Sequence, residues 1–180
     1  MDEYFGTKLI KAKIATYGEY RKEKYGDKQF ETNISDDTPG YMVQYSDDYI
    51  SWSPARVFEE TYKLIHGELN ELKLGTDKYT YVVYDEERFN APHNYLIYGD
   101  QKLLCGIHFQ EGPINENELN GIFMEDLINI CIDRLEKFQD SIFNCSHNET
   151  AINLLKGAIT ALNQRTEERK KRQVEGTSKP

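Results

Sequence analysis

The sequence lacks any apolar run of about 18 residues, the length a helix needs to cross a bilayer. It opens Met1-Asp2-Glu3-Tyr4-Phe5, without the charged-then-apolar region of a secretory signal, so a cytoplasmic location is expected. Cysteine is scarce: Cys105, Cys131 and Cys145 are an odd number, which reads as reduced thiols and excludes a disulfide framework. There is no Walker or dinucleotide glycine pattern. A phosphate on this chain must therefore be held by Arg and Lys side chains and helix N-termini. A basic excess is missing too. With 22 Lys and Arg against 31 Asp and Glu, the net charge of −9 excludes general binding of nucleic acid polymers. No internal repeat and no low-complexity tract is present.

The chain has 180 residues, 38% of them hydrophobic and 29% charged, which is the composition of one or two soluble domains. Its charge is uneven. Lys8 to Lys28 carries seven Lys or Arg against three acids, and Arg165 to the end carries six against three. A local basic cluster on an acidic protein suits a small anionic ligand better than a polymer. The plain alternative is a solvated helix end, where basic residues favour the dipole, and composition alone favours that alternative.

Spacing then gives the elements. Thr7–Ile14 alternates as a strand. Thr16 with Glu19 forms a capping box for a short helix through Lys24, ended by Gly26. Asp27–Gly40 is a polar loop. Tyr41–Tyr45 and Tyr49–Ser51 read as a hairpin turning at Ser46-Asp47-Asp48. Ser53 as N-cap and Pro54 at the first position start a helix whose buried face is Val57, Phe58, Thr61, Tyr62 and Ile65. Residues 67–78 are polar and read as a linker. Strands follow at Tyr79–Tyr84, Tyr95–Tyr98 and Lys102–Phe109, with a tight turn at Gly99-Asp100-Gln101. A loop spans Gln110–Gly121.

Met124 to Thr177 organises the rest. Leu127, Cys131, Leu135 and Phe138 recur at helical spacing, as do Ile152, Leu155, Ile159 and Leu162. The connection Gln139–Cys145 is short, so the two helices are antiparallel neighbours, the second opened by a Ser146/Glu149 capping box. Its stripe continues into Arg165, Arg169 and Arg172. A face that begins apolar and ends in arginine cannot be core throughout, so the arginines are expected to meet solvent, a partner or an anion. Arg165 and Arg169 lie four apart and can clamp an anion together. Phe138 is either hairpin core or an exposed ring on which a base could stack.

Two other chemistries are weaker. Cys105, His108, Cys145 and His147 could in principle hold zinc, but the first pair sits three apart on a strand and points to opposite faces. Cys145 and His147 are close in sequence, yet no nucleophile elbow or orienting third group surrounds them. No metal, cofactor or catalytic residue is expected.

The C-terminal text carries a resemblance. Ile107-His108-Phe109-Gln110, Gly112-Pro113-Ile114, Asn120-Gly121, Glu125-Asp126-Leu127, Asp133-Arg134-Leu135, Phe138-Gln139, Phe143, Cys145, Asn148, Arg165-Thr166, Arg169, Arg172 and Val174-Glu175-Gly176-Thr177 stand at fixed spacing over residues 79 to 178. This resembles the phage Thoeris anti-defence protein one family, which shares its helical-hairpin domain with the anti-CBASS protein two family. The resemblance implies a non-catalytic sponge for glycocyclic ADP-ribose, with cyclic di- or trinucleotides held at a second site in some members, and an oligomer whose pockets two protomers complete. It implies that Phe138 stacks on the adenine, Asn148 hydrogen-bonds the ligand, and Arg165 and Arg169 grip the pyrophosphate. Three positions depart from the pattern: Asn115 for a Lys, Met124 for an Asn cap, and Gln173 for a Gly, which would let the last helix run on.

The expected architecture is α+β: a small N-terminal α/β unit over 1–66, a linker over 67–78, and an antiparallel sheet with a C-terminal helical hairpin over 79–180. The front part, through Gly40-Tyr41 and Tyr49-Ile50-Ser51-Trp52-Ser53-Pro54, resembles a small domain found at the front of assorted phage proteins. The expected function is sequestration of the signal that drives the bacterial Thoeris defence. A sponge for CBASS cyclic oligonucleotides, a hydrolase using Cys145 or His147, and a ligand-free structural protein are the alternatives.

Overall fold

Thr16 decides the first turn of the chain. Its hydroxyl accepts the Glu19 N–H at 3.2 Å, and the Glu19 carboxylate accepts the Thr16 N–H at 2.8 Å. This capping box ends β1 (Lys11–Thr16) and starts α1 (Tyr17–Tyr25). In the computed structural model, which describes residues 8–28, 31–72, 79–100 and 102–180, the strand begins later than the expected Thr7, a residue outside that set. Gly26, at φ 65, closes α1 by donating to the Lys22 carbonyl. Antiparallel β2 (Pro39–Gln44) and β3 (Ile50–Pro54) complete a sheet in the order β1-β2-β3, with Lys13, Met42 and Trp52 in one row.

Trp52 fixes that sheet. Its indole N–H donates to the Ala15 carbonyl at 3.0 Å, and a Cβ on Gly40 would overlap its ring. The small core is Ala15, Tyr20 and Met42, flanked by Tyr17, Ile50 and Trp52. Lys24 joins helix to sheet. Its ammonium lies 4.4 Å from the Tyr49 ring centre and donates to the Ile50 carbonyl. One expectation fails here. Ser53 is not an N-cap but a strand residue paired with Tyr41, and α2 (Ala55–Thr61) is capped by Pro54 without a side-chain bond. The helix stops at Thr61 and none of its residues is buried, so Tyr62 and Ile65 are not on its face. Tyr62 turns to an extended backbone, φ −117 and ψ 141, its N–H donating to the Phe58 carbonyl, and this ends the helix. Phe58 makes the main contact, stacked on Tyr41 at 4.1 Å.

A second sheet has the order β4-β5-β6-β7, from β4 (Asn70–Leu72), β5 (Tyr81–Tyr84), β6 (Asn94–Gly99) and β7 (Lys102–His108). β4 lies inside the stretch read as a linker, whose residues 73–78 are outside the described set. So is Gln101 of the expected tight turn, while its neighbour Asp100 adopts φ 46. The chain groups into two compact units. One holds Met1–Gly67, Glu71–Val83 and Leu96–Gly106; the other holds Glu68–Asn70, Tyr84–Tyr95 and Ile107–Pro180.

In the second unit a buried carboxylate organises the loop before β6. Asp85, 1% exposed, accepts the backbone N–H groups of His93 (3.2 Å) and Asn94 (3.0 Å) and the Asn94 amide (2.6 Å). The Asn94 amide nitrogen is thus committed, so its oxygen accepts from His108 Nδ1 at 2.7 Å, which fixes that imidazole's tautomer. The loop over 110–121 returns by a parallel bridge of Phe109 with Ile122 and contains the short α3 (Ile114–Asn117).

α4 (Met124–Gln139) and α5 (Ser146–Lys171) pack as the expected antiparallel hairpin. The buried pair is Ile132 and Ile152, with Leu127, Ile128, Leu135, Leu155, Ile159 and Leu162 half-buried beside it. Cys131 and Phe138 are exposed, so the seam of α4 runs through Ile128 and Ile132 rather than through them. The Asp126 carboxylate accepts the Phe123 N–H at 2.8 Å at the start of α4. Cys145 takes the N-cap position of α5 in place of Ser146, with its N–H bound to the Gln139 side chain at 2.8 Å. α5 does not run on. Gln173 adopts φ 58 and the helix ends at Lys171. Among the described residues no helix is long and apolar enough to cross a membrane.

Candidate functional site

The first candidate region is the turn of the hairpin. Phe138, in the last turn of α4, is 38% exposed, and with Asp133, Arg134, Lys137, Ser141 and Phe143 it lines a hollow of about 380 Å³. That volume falls in the range of small-ligand pockets. The Arg134 guanidinium carbon lies 5.3 Å from the Phe138 ring centre. The turn is held by local bonds: the Ser141 hydroxyl donates to the Phe138 carbonyl at 2.7 Å, and the Asn148 amide donates to the Phe143 carbonyl at 3.3 Å. Phe138 and Asn148 are thus at the same end of the hairpin, with an apolar ring and cations beside it.

Arg165 and Arg169 are at the other end. Arg165 is largely exposed, its guanidinium 3.8 Å from the Glu125 carboxylate in the first turn of α4. Arg169 has a different environment from the one its stripe position predicts. Its Nε donates to Glu175 at 3.0 Å, its Nη1 to the Lys179 carbonyl at 3.2 Å, and its Nη2 to the carbonyls of Val174 and Thr177, both at 2.9 Å. Four of the five donors of a guanidinium are therefore engaged by the chain's own tail. Asn115 donates from its backbone to Gly176 and from its side chain to Glu175, while Glu116 accepts from Ser178. The tail around Gly176 is consequently bonded to α3. Between the arginines, Lys170 holds the Glu167 carboxyl below its usual value through a 2.8 Å hydrogen bond.

Helix geometry sets the separation of the two ends. Asn148 and Arg165 are 17 residues apart on α5, about 26 Å along the axis at roughly 1.5 Å per residue. Within one protomer the four residues do not meet. Cys145 and His147 are exposed on the first turn of α5, and among the described residues no group of three His, Cys, Asp or Glu is placed to hold a metal.

The sequence has known relatives. The family model for the Acb2/Tad1 hairpin domain matches residues 104–167. A curated protein of Bacillus phage SBSphiJ7, "Thoeris anti-defense 1", is 38% identical over 118 residues, a match covering 52% of this chain and 83% of the relative. This chain belongs to the Thoeris anti-defense 1 family. The hairpin match takes in Phe138, Asn148 and Arg165 and stops just before Arg169. Two features of this family member were not read from its sequence. The tail strap through Asn115, Glu116 and Arg169 joins residues some 60 positions apart and leaves no local signal. The pairing of Arg134 with Phe138 was legible, because i,i+4 residues share a helix face.

Proposed function

We propose that this protein blocks the Thoeris defence by sequestering its cyclic nucleotide signal, glycocyclic ADP-ribose, without altering it. Family membership supports the anti-defence role. The observation that carries the mechanism is the 17-residue separation of Asn148 from Arg165 on one uninterrupted helix. A mononucleotide-sized ligand cannot touch both ends of that helix. Two copies packed antiparallel would bring the Phe138 and Asn148 end of one against the Arg165 and Arg169 end of the other. A twofold axis then makes two equal sites. Phe138 supplies a stacking face, Asn148 a neutral hydrogen bond, and Arg165 a planar fork for the pyrophosphate, with Arg169, whose donors the tail engages, adding positive charge beside it.

Energetics point the same way. Capture of a dilute signal at nanomolar level requires about −12 kcal/mol. Base stacking at roughly 1–3 kcal/mol and two charged contacts at roughly 1.5–3 kcal/mol each fall short of that. Enclosure between protomers supplies the remainder through desolvation. The test is recovery. The protein is loaded with glycocyclic ADP-ribose, washed, denatured by heat, and the released material identified by mass. Intact signal in near-stoichiometric amount is expected. A linear or cleaved product would replace the sponge with a hydrolase, and an empty protein would remove the ligand altogether.

A further inference from the structure

Arg134 is an arginine that the fold does not use. The chain has seven arginines. Arg21, Arg56, Arg88, Arg165 and Arg169 each face a carboxylate, and Arg172 donates to the Pro180 carbonyl. Among the described arginines Arg134 alone has neither an ion pair nor a hydrogen bond; its guanidinium lies against the Phe138 ring. Its side chain lines the hollow at the turn of the hairpin, together with Lys137 and a single acid, Asp133. The sequestration reading assigns the phosphates to Arg165 and Arg169, which lie at the far end of the same protomer. At the Phe138 end the cations supplied by the same chain are Arg134 and Lys137.

We propose that Arg134 is a phosphate contact made in cis: its guanidinium takes a phosphate oxygen of the nucleotide whose base lies on Phe138, while the arginines of α5 reach that ligand from the second copy. An exposed cation–π contact is weak, so it is readily exchanged for a charge-assisted hydrogen bond when a phosphate arrives. Until then the ring holds the guanidinium over the hollow without using any of its five donors. The planar fork matches a phosphate bidentately, which the neighbouring Lys137 cannot do. This inference rests on the sequestration reading, and it adds to it a phosphate contact from the copy that supplies Phe138.

The test is calorimetric titration of the full-length protein with glycocyclic ADP-ribose at low and moderate salt. Wild type, Arg134→Gln, Arg134→Lys and Phe138→Ala are compared, each checked for assembly by size-exclusion chromatography. Arg134→Gln is expected to bind about tenfold or more weakly, the scale of one charged hydrogen bond, with a shallower salt dependence and unchanged assembly. Arg134→Lys is expected to restore the salt dependence but only part of the affinity. If Arg134→Gln binds as wild type does while Phe138→Ala does not, the cis contact is wrong and the sequestration reading stands. If affinity falls only together with loss of assembly, Arg134 is an interface residue and the inference is overturned. Failure of wild type to bind removes both.

Discussion

Mixing two defective variants separates a shared site from a self-contained one. The perturbations are Asn148→Ala and Arg165→Ala. Asn148 makes one local amide bond to Phe143, and Arg165 is largely exposed beside Glu125, so neither substitution touches the buried pair Ile132 and Ile152. About 26 Å of helix lies between them, so one ligand contacts both only if two protomers contribute. In a twofold dimer each site then takes Asn148 from one copy and Arg165 from the other. Homodimers of either variant carry two damaged sites. A mixed dimer carries one doubly damaged site and one intact site. Random reassortment makes half of the dimers mixed, so about a quarter of the wild-type sites return. The assay is calorimetric stoichiometry after unfolding and co-refolding of an equal mixture, against each variant refolded alone. Recovery of about a quarter of the sites at wild-type affinity is expected. No recovery, with mixed dimers demonstrated by mass, would refute the antiparallel shared site.

Three further outcomes follow from the fold. Asp85→Ala strips the acceptor from three buried N–H donors and should cost roughly 3–5 kcal/mol in urea denaturation; a loss below about 1 kcal/mol would mean that water replaces the carboxylate there. Gln173→Gly should stabilise the protein by about 1 kcal/mol, because Gln173 holds a left-handed backbone that disfavours a Cβ, and a lowered melting temperature would contradict this. Alkaline pH should destabilise the protein. Burial raises the phenol pKa of Tyr20, Tyr62, Tyr95 and Tyr98 above the usual value, for Tyr95 with added repulsion from Asp85. Groups raised on folding stabilise fully below about pH 10, and that contribution is lost as pH climbs through the folded values. Tyrosinate absorbance should therefore show some of the 13 tyrosines titrating above the usual phenol range, together with a loss of stability in urea over the same pH interval.

Legibility in this chain followed locality. The Thr16 box, the Gly26 cap, the β2–β3 hairpin and the antiparallel α4–α5 pair are set by residues within a few positions of each other, and each stands where spacing places it. The α+β class follows from these. Misreadings came where a distant partner decides. Ser53 looks like an N-cap beside Pro54, but pairing with Tyr41 keeps it in the sheet. Phe138, which spacing leaves open between hairpin core and exposed ring, is 38% exposed because the seam runs through Ile128 and Ile132.

Arg169 shows the same limit at the candidate site, and it changes how a variant must be read. Its place on the stripe of α5 predicts a side chain free to meet an anion. The left-handed turn at Gln173 brings the tail back, and the guanidinium instead binds Glu175 and three carbonyls. Replacing Arg169 with alanine would free the Glu175 carboxylate, leave the half-buried Thr177 carbonyl without its donor and loosen the strap that Asn115 and Glu116 share. Lost binding in that variant therefore has two physical sources, a missing phosphate contact and a displaced tail. Arg165 faces the Glu125 carboxylate at 3.8 Å and, among the described residues, donates no hydrogen bond to the tail, so it carries no such second role. If Arg165→Ala loses the ligand while amide exchange of residues 174–178 stays at the wild-type rate, the arginine end of α5 is a binding surface in its own right. If only Arg169→Ala loses it, with those amides exchanging fast, the tail is what the ligand needs.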